Sequence, residues 1–403
     1  MHPIQAGHSL ADSTFGEIRR EMELTHCKWD GQVGDIASIA DFPLLISRAT
    51  WSELAVLAEQ LSRETLSVEN ELVGRPELHA RIALPRPLRP LFAEGTPTPA
   101  AVRVMRFDFH FTTEGWRVSE VNSDVPGGFT EATSFTKLVA ASVPGAVPAG
   151  DPTRALVDAL VDVVGDRGAV ALTNAPGHME DHQVVAYVAA ALRTRGLQAH
   201  IVSPSQLRWR DGRAGVETGS QTRNVDAIYR FYQAEWLARL TSSIDWHPLF
   251  AGGRTPVANP GVAALTESKR LPLVWDALRT RLDTWRRLLP ETRALADAPW
   301  QDDDGWLIKS AFSNTGDTVS IRTAMSAKAW SWRVWSARLR PQMWIAQRRF
   351  TVVPVEHRGE ALFPCIGVYT VDGVAAGAYA RLASGPIVDA HARDSALLIW
   401  EDA

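Results

Sequence analysis

The stretch from Arg106 to Gly128, RFDFHFTTEGWRVSEVNSDVPGG, constrains this chain more than any other. Apolar and polar residues alternate on both sides of TTEGW. In a strand, side chains i and i+2 share a face. The pattern therefore predicts a β-hairpin that turns at Glu114-Gly115. Phe107, Phe109 and Val121 face a core, and Val118 can join them. Arg106 and Asp108 share the opposite face, as do Glu120 and Asn122. That face gathers two carboxylates, an amide oxygen and a cation. Two readings fit these residues. Magnesium takes oxygen ligands and is commonly held by one or two carboxylates, or the face is simply solvated. The exit NSDVPGG leads into a helix expected over 129–140. Gly127-Gly128 there is either a nest of N–H groups for an anion or an ordinary strand-to-helix turn.

Composition narrows the class. A chain of 403 residues implies two or three domains or one large α/β assembly. With 45% hydrophobic and 22% charged residues it is globular. A net charge of −4 gives no reason to expect nucleic acid or an anionic membrane as a partner. Cys27 and Cys365 are the only cysteines, which excludes a disulfide framework or a cysteine-based zinc site. No run of about eighteen apolar residues predicts a membrane span. The first residues lack an apolar signal core, so a cytoplasmic protein is expected. The 15 tryptophans are expected in cores or clefts.

Along the chain, a helix begins within 14–35, with Thr14 and Glu17 at capping-box spacing. A second helix is predicted over 43–74 from Leu54, Leu57, Leu61 and Leu66. Residues 83–100 are proline-rich and read as a connection. A boundary falls at 148–152. Strands at 169–174, 198–207 and 225–233 with a helix at 182–197 predict an open α/β layer of Rossmann type. It lacks the glycine-rich dinucleotide fingerprint. NAPGH at 174–178 is either a cleft lining or a plain turn. Beyond 256, ESKRLPLVWDAL reads as a helix, GWLIKSAFSNTGDTVSIR as strand, loop and strand, and MWIAQRRFTVVPV as a strand. A last hairpin turns at Asp372-Gly373. These signals divide the chain into segments 1–150, 151–255 and 256–403.

Three cations outside the hairpin each carry two readings. Lys309 ends an apolar strand beside a small polar loop, which suits nucleotide phosphates or a surface position. The loop is not a Walker A motif. Lys269 opens the predicted helix and faces an anion or solvent. Arg381, inside a strand-like run, needs phosphate, a carboxylate or water. GHMEDH matches no metal motif with a mechanism, and a helix-start acidic cap explains Glu180 and Asp181. Neither cysteine has a partner for nucleophilic catalysis.

Taken in order, Arg106-x-Asp108, Glu120-x-Asn122, Lys269, Lys309 with its loop, Gln347 and Arg381 resemble the synthetase domain of glutathionylspermidine synthase. That is a circularly permuted ATP-grasp family. The resemblance runs roughly from Thr14 to the C-terminus and includes KWD, IYRFYQAEWL and GAYARLASGPIVD. It implies an α/β (α+β) ATP-grasp fold, circularly permuted, with an inserted Rossmann-like preATP-grasp layer. It also implies ATP and Mg2+ as cofactors. Asp108, Glu120 and Asn122 match the magnesium ligands. Arg106 and Arg381 match arginines on the transferred phosphate and the reacting acyl group. Lys269 and Lys309 match lysines on the nucleotide phosphates. Ser313, Asn314, Thr315 and Gly316 match the loop that covers ATP. Gln347 stands near adenine, on a strand whose edge meets the base. Glu235, Ser123, Gly127 and Gly128 fall on the substrate side.

The implied activity is an ADP-forming carboxylate–amine ligase that works through an acyl phosphate. Its substrates would be a small-molecule or peptide carboxylate and an amine. The alternatives are a non-catalytic nucleotide-binding scaffold and a phosphotransferase that stops before ligation. Three departures from the family pattern stand out. Ser310 follows the loop lysine where proline is usual, Asn314 stands near the place of an arginine, and NSDVP replaces NADTP. They bear on glutathione and spermidine as substrates rather than on ATP and magnesium. No cysteine-hydrolase domain accompanies the synthetase, so amidase activity is not expected. Oligomeric state is not legible.

Overall fold

The computed structural model describes residues 2–33, 36–219, 221–312 and 319–400. Its central sheet is antiparallel and joins two hairpins that lie far apart in sequence. The first comprises Val104–Thr112 and Gly115–Asn122, the second Glu360–Val371 and Val374–Ala383. They pair through Val104–Thr112 and Glu360–Val371, with Asp108 opposite Gly367 and Arg106 opposite Tyr369. Arg393–Ser395 adds the far edge.

One face of this sheet is apolar because every second residue is. Phe107, Phe109, Val121, Ile366, Val368 and Leu382 are buried there. They pack with Leu54, Leu61, Val68 and Leu72 of the helix Arg48–Val73. Burying each such side chain is worth roughly 1.5–3 kcal/mol. The Ser47 hydroxyl caps the helix by accepting from the Thr50 N–H at 3.0 Å. The helix is therefore shorter than the pattern over 43–74 suggests. Leu44–Ser47 is instead a strand of a second sheet, between Ile4–Ala6 and Leu397–Trp400, with Ala146–Pro148 beyond. That sheet unites the two ends of the chain.

The Rossmann-type layer is present. Val257–Ala258, Ala227–Phe231, Ala169–Asn174 and Gln198–Val202 lie side by side and parallel. Helices Pro152–Val164 and Met179–Thr194 cover it with Leu156, Leu160, Val185, Val188 and Leu192. Asp151 caps the first helix by accepting from Arg154 N, 2.9 Å away. The last sheet has Trp344–Arg348 between Thr292–Arg293 and Trp306–Ser310. Ala327–Leu339 packs on it.

Several sequence expectations shift. The first helix is Asp12–Thr25, capped by no side chain, so Thr14 and Glu17 lie inside it. The proline-rich connection contains the short helix Leu88–Glu94. The first hairpin turns at Thr113-Glu114, one residue early, because Thr112 pairs with Gly115. Gly115, at φ +89°, begins the return strand. ESKRLPLVWDAL is not one helix. Ala264–Glu267 ends at Ser268, and Leu271–Ala277 is a 3₁₀ segment. Pro272 supplies no N–H donor to a helix continuing from Ala264. After Trp306–Ser310 no described strand returns; Ser320 makes a single bridge to Ile308. The predicted strand over MWIAQRRFTVVPV stops at Arg348, and that over 198–207 stops at Val202, before Pro204. The second hairpin turns at Asp372-Gly373 as expected.

Candidate active site

The opposite face of the central sheet is polar, and strand register arranges it. Across the first hairpin, Arg106 pairs with Asn122 and Asp108 with Glu120. A bulge between Asp108 and Phe109 absorbs one extra residue, Ser119, on the partner strand. It lets Val118 turn to the core beside Phe109 while Glu120 stays on the polar face.

Arg106 is held on several sides. Its Nε is 2.7 Å and its Nη2 3.1 Å from the two oxygens of Asp108. Its Nη1 donates to the Gly127 carbonyl at 2.9 Å. Its guanidinium lies 5.8 Å from the centre of the Tyr379 ring. The side chain crosses the next strand at Gly367, where a Cβ would sit 2.8 Å from Arg106 Cδ. Tyr369 Oη donates to the same Gly127 carbonyl. Gly128, at φ +89°, leaves room for both tyrosines, since a Cβ there would come within 2.7 Å of each hydroxyl. The helix expected after the glycines forms, with a π-helical turn over Glu131–Phe135.

Asn122 Nδ2 donates to Asp108 Oδ2 at 3.1 Å. Glu120 Oε2 lies 3.3 Å from Lys269 Nζ. Lys309 Nζ donates to the Ser119 carbonyl at 3.2 Å. Burial pushes the Glu120 carboxyl up, but Lys269, Lys309 and Arg106 outweigh it and hold the group at about 2. Burial lowers the Lys309 ammonium, opposed by Glu120 and reinforced by Lys269. Lys269 sits in an irregular link, not on a helix, and its N–H donates to the Ala311 carbonyl at 2.9 Å. Lys269 and Lys309 thus reach the hairpin from segments 147 or more residues away in sequence.

Gln347 lines a narrow slot with both lysines, Glu120, Trp275 and Trp285. Its amide donates to Thr292 Oγ1 at 3.0 Å. Its strand is the central one of the small sheet. Arg381 lies opposite Cys365 and Asp394 in the register. It donates to the Asp389 carbonyl at 2.8 Å. A cleft of about 1710 Å³ opens over this face and is lined by Arg106, Asn122, Gly127, Gly128, Glu235 and Arg381 among others. Burial, then Asp124, pushes the Glu235 carboxyl up to about 7.

Ser123 was expected at the substrate and is instead fully buried behind the cleft. Its hydroxyl accepts from Arg103 at 2.6 Å and pairs with Thr266 Oγ1 at 2.7 Å. Arg103 is itself paired with buried Glu69 at 2.6 Å. Ser313, Asn314, Thr315 and Gly316 lie outside the described residues. Among the described residues, no three His, Cys, Asp or Glu side chains converge as a metal cage. What the hairpin offers is two carboxylates and an amide oxygen beside three cations. That donor set suits a hard cation that arrives with phosphates.

Sequence reading missed several groups. Asp124 and Arg230 form a buried ion pair at 2.5 Å, which holds the exit turn against the parallel sheet. Lys28, Asp30, Glu131 and Asp394 meet at one end of the cleft. The motifs KWD, NSD and IYRFYQ contain four of these six residues, yet no spacing connects them.

The profile of the family described as glutathionylspermidine synthase preATP-grasp matches residues 40–398. No curated protein matches the chain. Among solved structures, a glutathione synthetase-like effector from Globodera pallida, in its apo form, is 12% identical. The match covers 90% of each chain with a TM-score of 0.55, and it shows likeness of fold. A candidate gamma-glutamylcysteine synthetase from Methylobacillus flagellatus KT is 13% identical over 79% of this chain and 82% of its own, with a TM-score of 0.43.

Proposed function

This chain belongs to the glutathionylspermidine synthase preATP-grasp family, and from that premise we propose that it is an ATP-dependent carboxylate–amine ligase. One observation carries the reading. Glu120 stands in register with Asp108, with Lys269 and Lys309 beside it and Arg106 and Asn122 next in the row. A row of alternating charge at one wall of a large cleft suits the phosphates of a nucleotide and a carboxylate to be activated.

A carboxylate is a poor electrophile toward an amine. Its oxygen attacks the γ-phosphorus of ATP, the bond to the β–γ bridging oxygen breaks, and ADP leaves. The acyl phosphate is then attacked at carbon by the amine nitrogen. Phosphate departs, and the nitrogen gives up a proton to leave a neutral amide. Lys269 and Lys309 would anchor the nucleotide phosphates. Arg106 is steadied by Asp108 and the Gly127 carbonyl and would face the transferring phosphoryl group. Arg381 would offset charge on the acyl oxygen. Glu235, at about 7, suits the uptake of the amine proton. Magnesium held by Asp108, Glu120 and Asn122 would neutralise charge on the phosphates. The slot beside Gln347 would take the base. The loop 313–316 is proposed, by resemblance, as the cover over ATP. A small-molecule or peptide acid and an amine are the substrates this reading requires.

The test is ADP release with ATP and magnesium, scanning pooled carboxylic acids with and without pooled amines. Amine-stimulated release that Asp108→Ala with Glu120→Ala abolishes is the expected result. ADP release indifferent to amines would make the protein a phosphotransferase. ATP binding with no turnover in any pool would favour a scaffold.

A further inference from the structure

The parallel sheet carries a second pocket that the ligase reading leaves unused. It has a volume of about 480 Å³ and lies outside the carboxyl ends of the neighbouring strands Ala169–Asn174 and Gln198–Val202. Ligands of open parallel sheets sit at such ends. Asn174, Pro176 and Gly177 line it, so the NAPGH segment is a cleft lining and not a plain turn. Trp29, Gly177, His178 and Met179 line both this pocket and the large cleft, so the two share a wall. The wall is held in place from behind. The Trp29 N–H donates to Gln183 Oε1 at 3.0 Å, and the preceding Lys28 is anchored 3.3 Å from Asp394.

The lining sets the chemistry of an occupant. Pro176, Met179, Ile201 and Val202 supply apolar surface. The Trp29 ring lies 5.9 Å from that of His182 at an angle of 31°, which makes a flat wall. Among the described residues that line the pocket, none is Lys, Arg, Asp or Glu. An ionic group placed there would lose water without gaining a counter-charge. Two amides supply polarity. Asn174 is 7% exposed and lines this pocket but not the large cleft. Its Nδ2 donates to the Ala175 carbonyl at 3.1 Å, while no described group donates to its Oδ1. That oxygen is left for a donor in the pocket. Gln206 is the complement. Its Oε1 accepts from the Ser203 N–H at 2.9 Å and the Ser203 hydroxyl at 3.2 Å, which leaves its Nε2 hydrogens to donate. Apolar walls with a few placed polar groups are the usual make-up of a small-molecule site.

We propose that this pocket seats a flat, uncharged ring of one of the substrates, held by an amide-like edge that donates to Asn174 and accepts from Gln206. The large cleft beside it would hold the same molecule's reacting carboxylate or amine. This rests on the ligase reading and narrows its substrate.

The test uses the purified full chain with isotope-labelled methionine methyl groups, followed by NMR. Met179 is one of six methionines, and Met179→Leu assigns its signal. Benzamide, benzoate, benzylamine and acetamide are titrated in turn. Benzamide has the ring and the neutral amide edge, and each of the others lacks one of them. The Met179 signal is expected to respond to benzamide at about tenfold lower concentration than to any of the other three. Asn174→Ala is expected to weaken benzamide by about five- to tenfold, as one lost hydrogen bond predicts. Trp29→Ala removes the flat wall and is expected to weaken it by about tenfold. Trp29 is 40% exposed, so this variant tests the site even if Asn174→Ala does not fold. Benzoate or benzylamine binding as tightly as benzamide would overturn the proposal. So would a Met179 signal that benzamide leaves unmoved, or a Trp29→Ala protein that binds benzamide as wild type does. Magnesium-dependent ATP binding, measured on the same samples, reports on the ligase reading separately.

Discussion

Arg106 and Gly367 form a lock across two strands that are neighbours only in space. The arginine side chain lies over a position where a Cβ would come within 2.8 Å of its Cδ and 3.1 Å of the Tyr379 ring. Gly367→Ala should therefore displace the guanidinium rather than unfold the protein. Overpacking of this kind costs about 1–3 kcal/mol. The expected outcome is a small fall in melting temperature with a loss of ADP release of about tenfold or more. Equal loss of both would mean that Gly367 serves packing alone.

Asp108 and Glu120 are opposite each other on one face. Asp108→Asn and Glu120→Gln keep shape and remove one charge each. Both should weaken magnesium binding, seen as a rightward shift in magnesium titrations monitored by nucleotide binding. Turnover should fall about 10²-fold or more. A magnesium curve identical to wild type would remove these residues from the metal site.

Glu235 predicts a pH effect. Burial and Asp124 raise its carboxyl from the usual range to about 7 in the folded protein. A raised carboxyl favours folding while it is protonated. Its contribution is full below the unfolded value of about 4.5 and is lost as pH rises through about 7. Glu235→Gln should thus flatten the melting temperature across that window and stabilise the protein at pH 8. A wild-type curve that rises through the same window by the same amount as the variant would contradict this.

The long helix under the sheet gives two stability tests. Ser47→Ala removes the cap to Thr50 N and should cost about 1 kcal/mol in chemical denaturation. Leu61 is fully buried, so Leu61→Ala should cost about 2–5 kcal/mol. A smaller loss at Leu61 than at Ser47 would mean that the helix is held by its ends and not by its face.

Much of this site is legible because it is local. Alternation in one run of residues placed Arg106 and Asp108 on one face and Glu120 and Asn122 on another segment of it. The βαβ pattern and the Asp372-Gly373 turn are local in the same sense. The errors have physical causes as well. Leu44–Ser47 reads as helix because Leu and Ile suit either state, and its two strand partners are remote in sequence. Lys269 reads as a helix start because Pro272 three residues on is also allowed in a first turn. Ser123 reads as a ligand-facing hydroxyl because the sequence does not show that Arg103 and Thr266 already claim it.

By itself, then, the sequence determined the periodic elements, the polar face of the first hairpin and its chemical character. Side-chain spacing of two and backbone preferences of neighbouring residues set those. Only tertiary structure decided which distant groups meet that face. The two hairpins join across some 250 residues, Lys269 and Lys309 arrive from a third segment, and Lys28 closes on Asp394 from the other end of the chain. Such contacts depend on which surfaces bury each other, and no local periodicity encodes a partner hundreds of residues away.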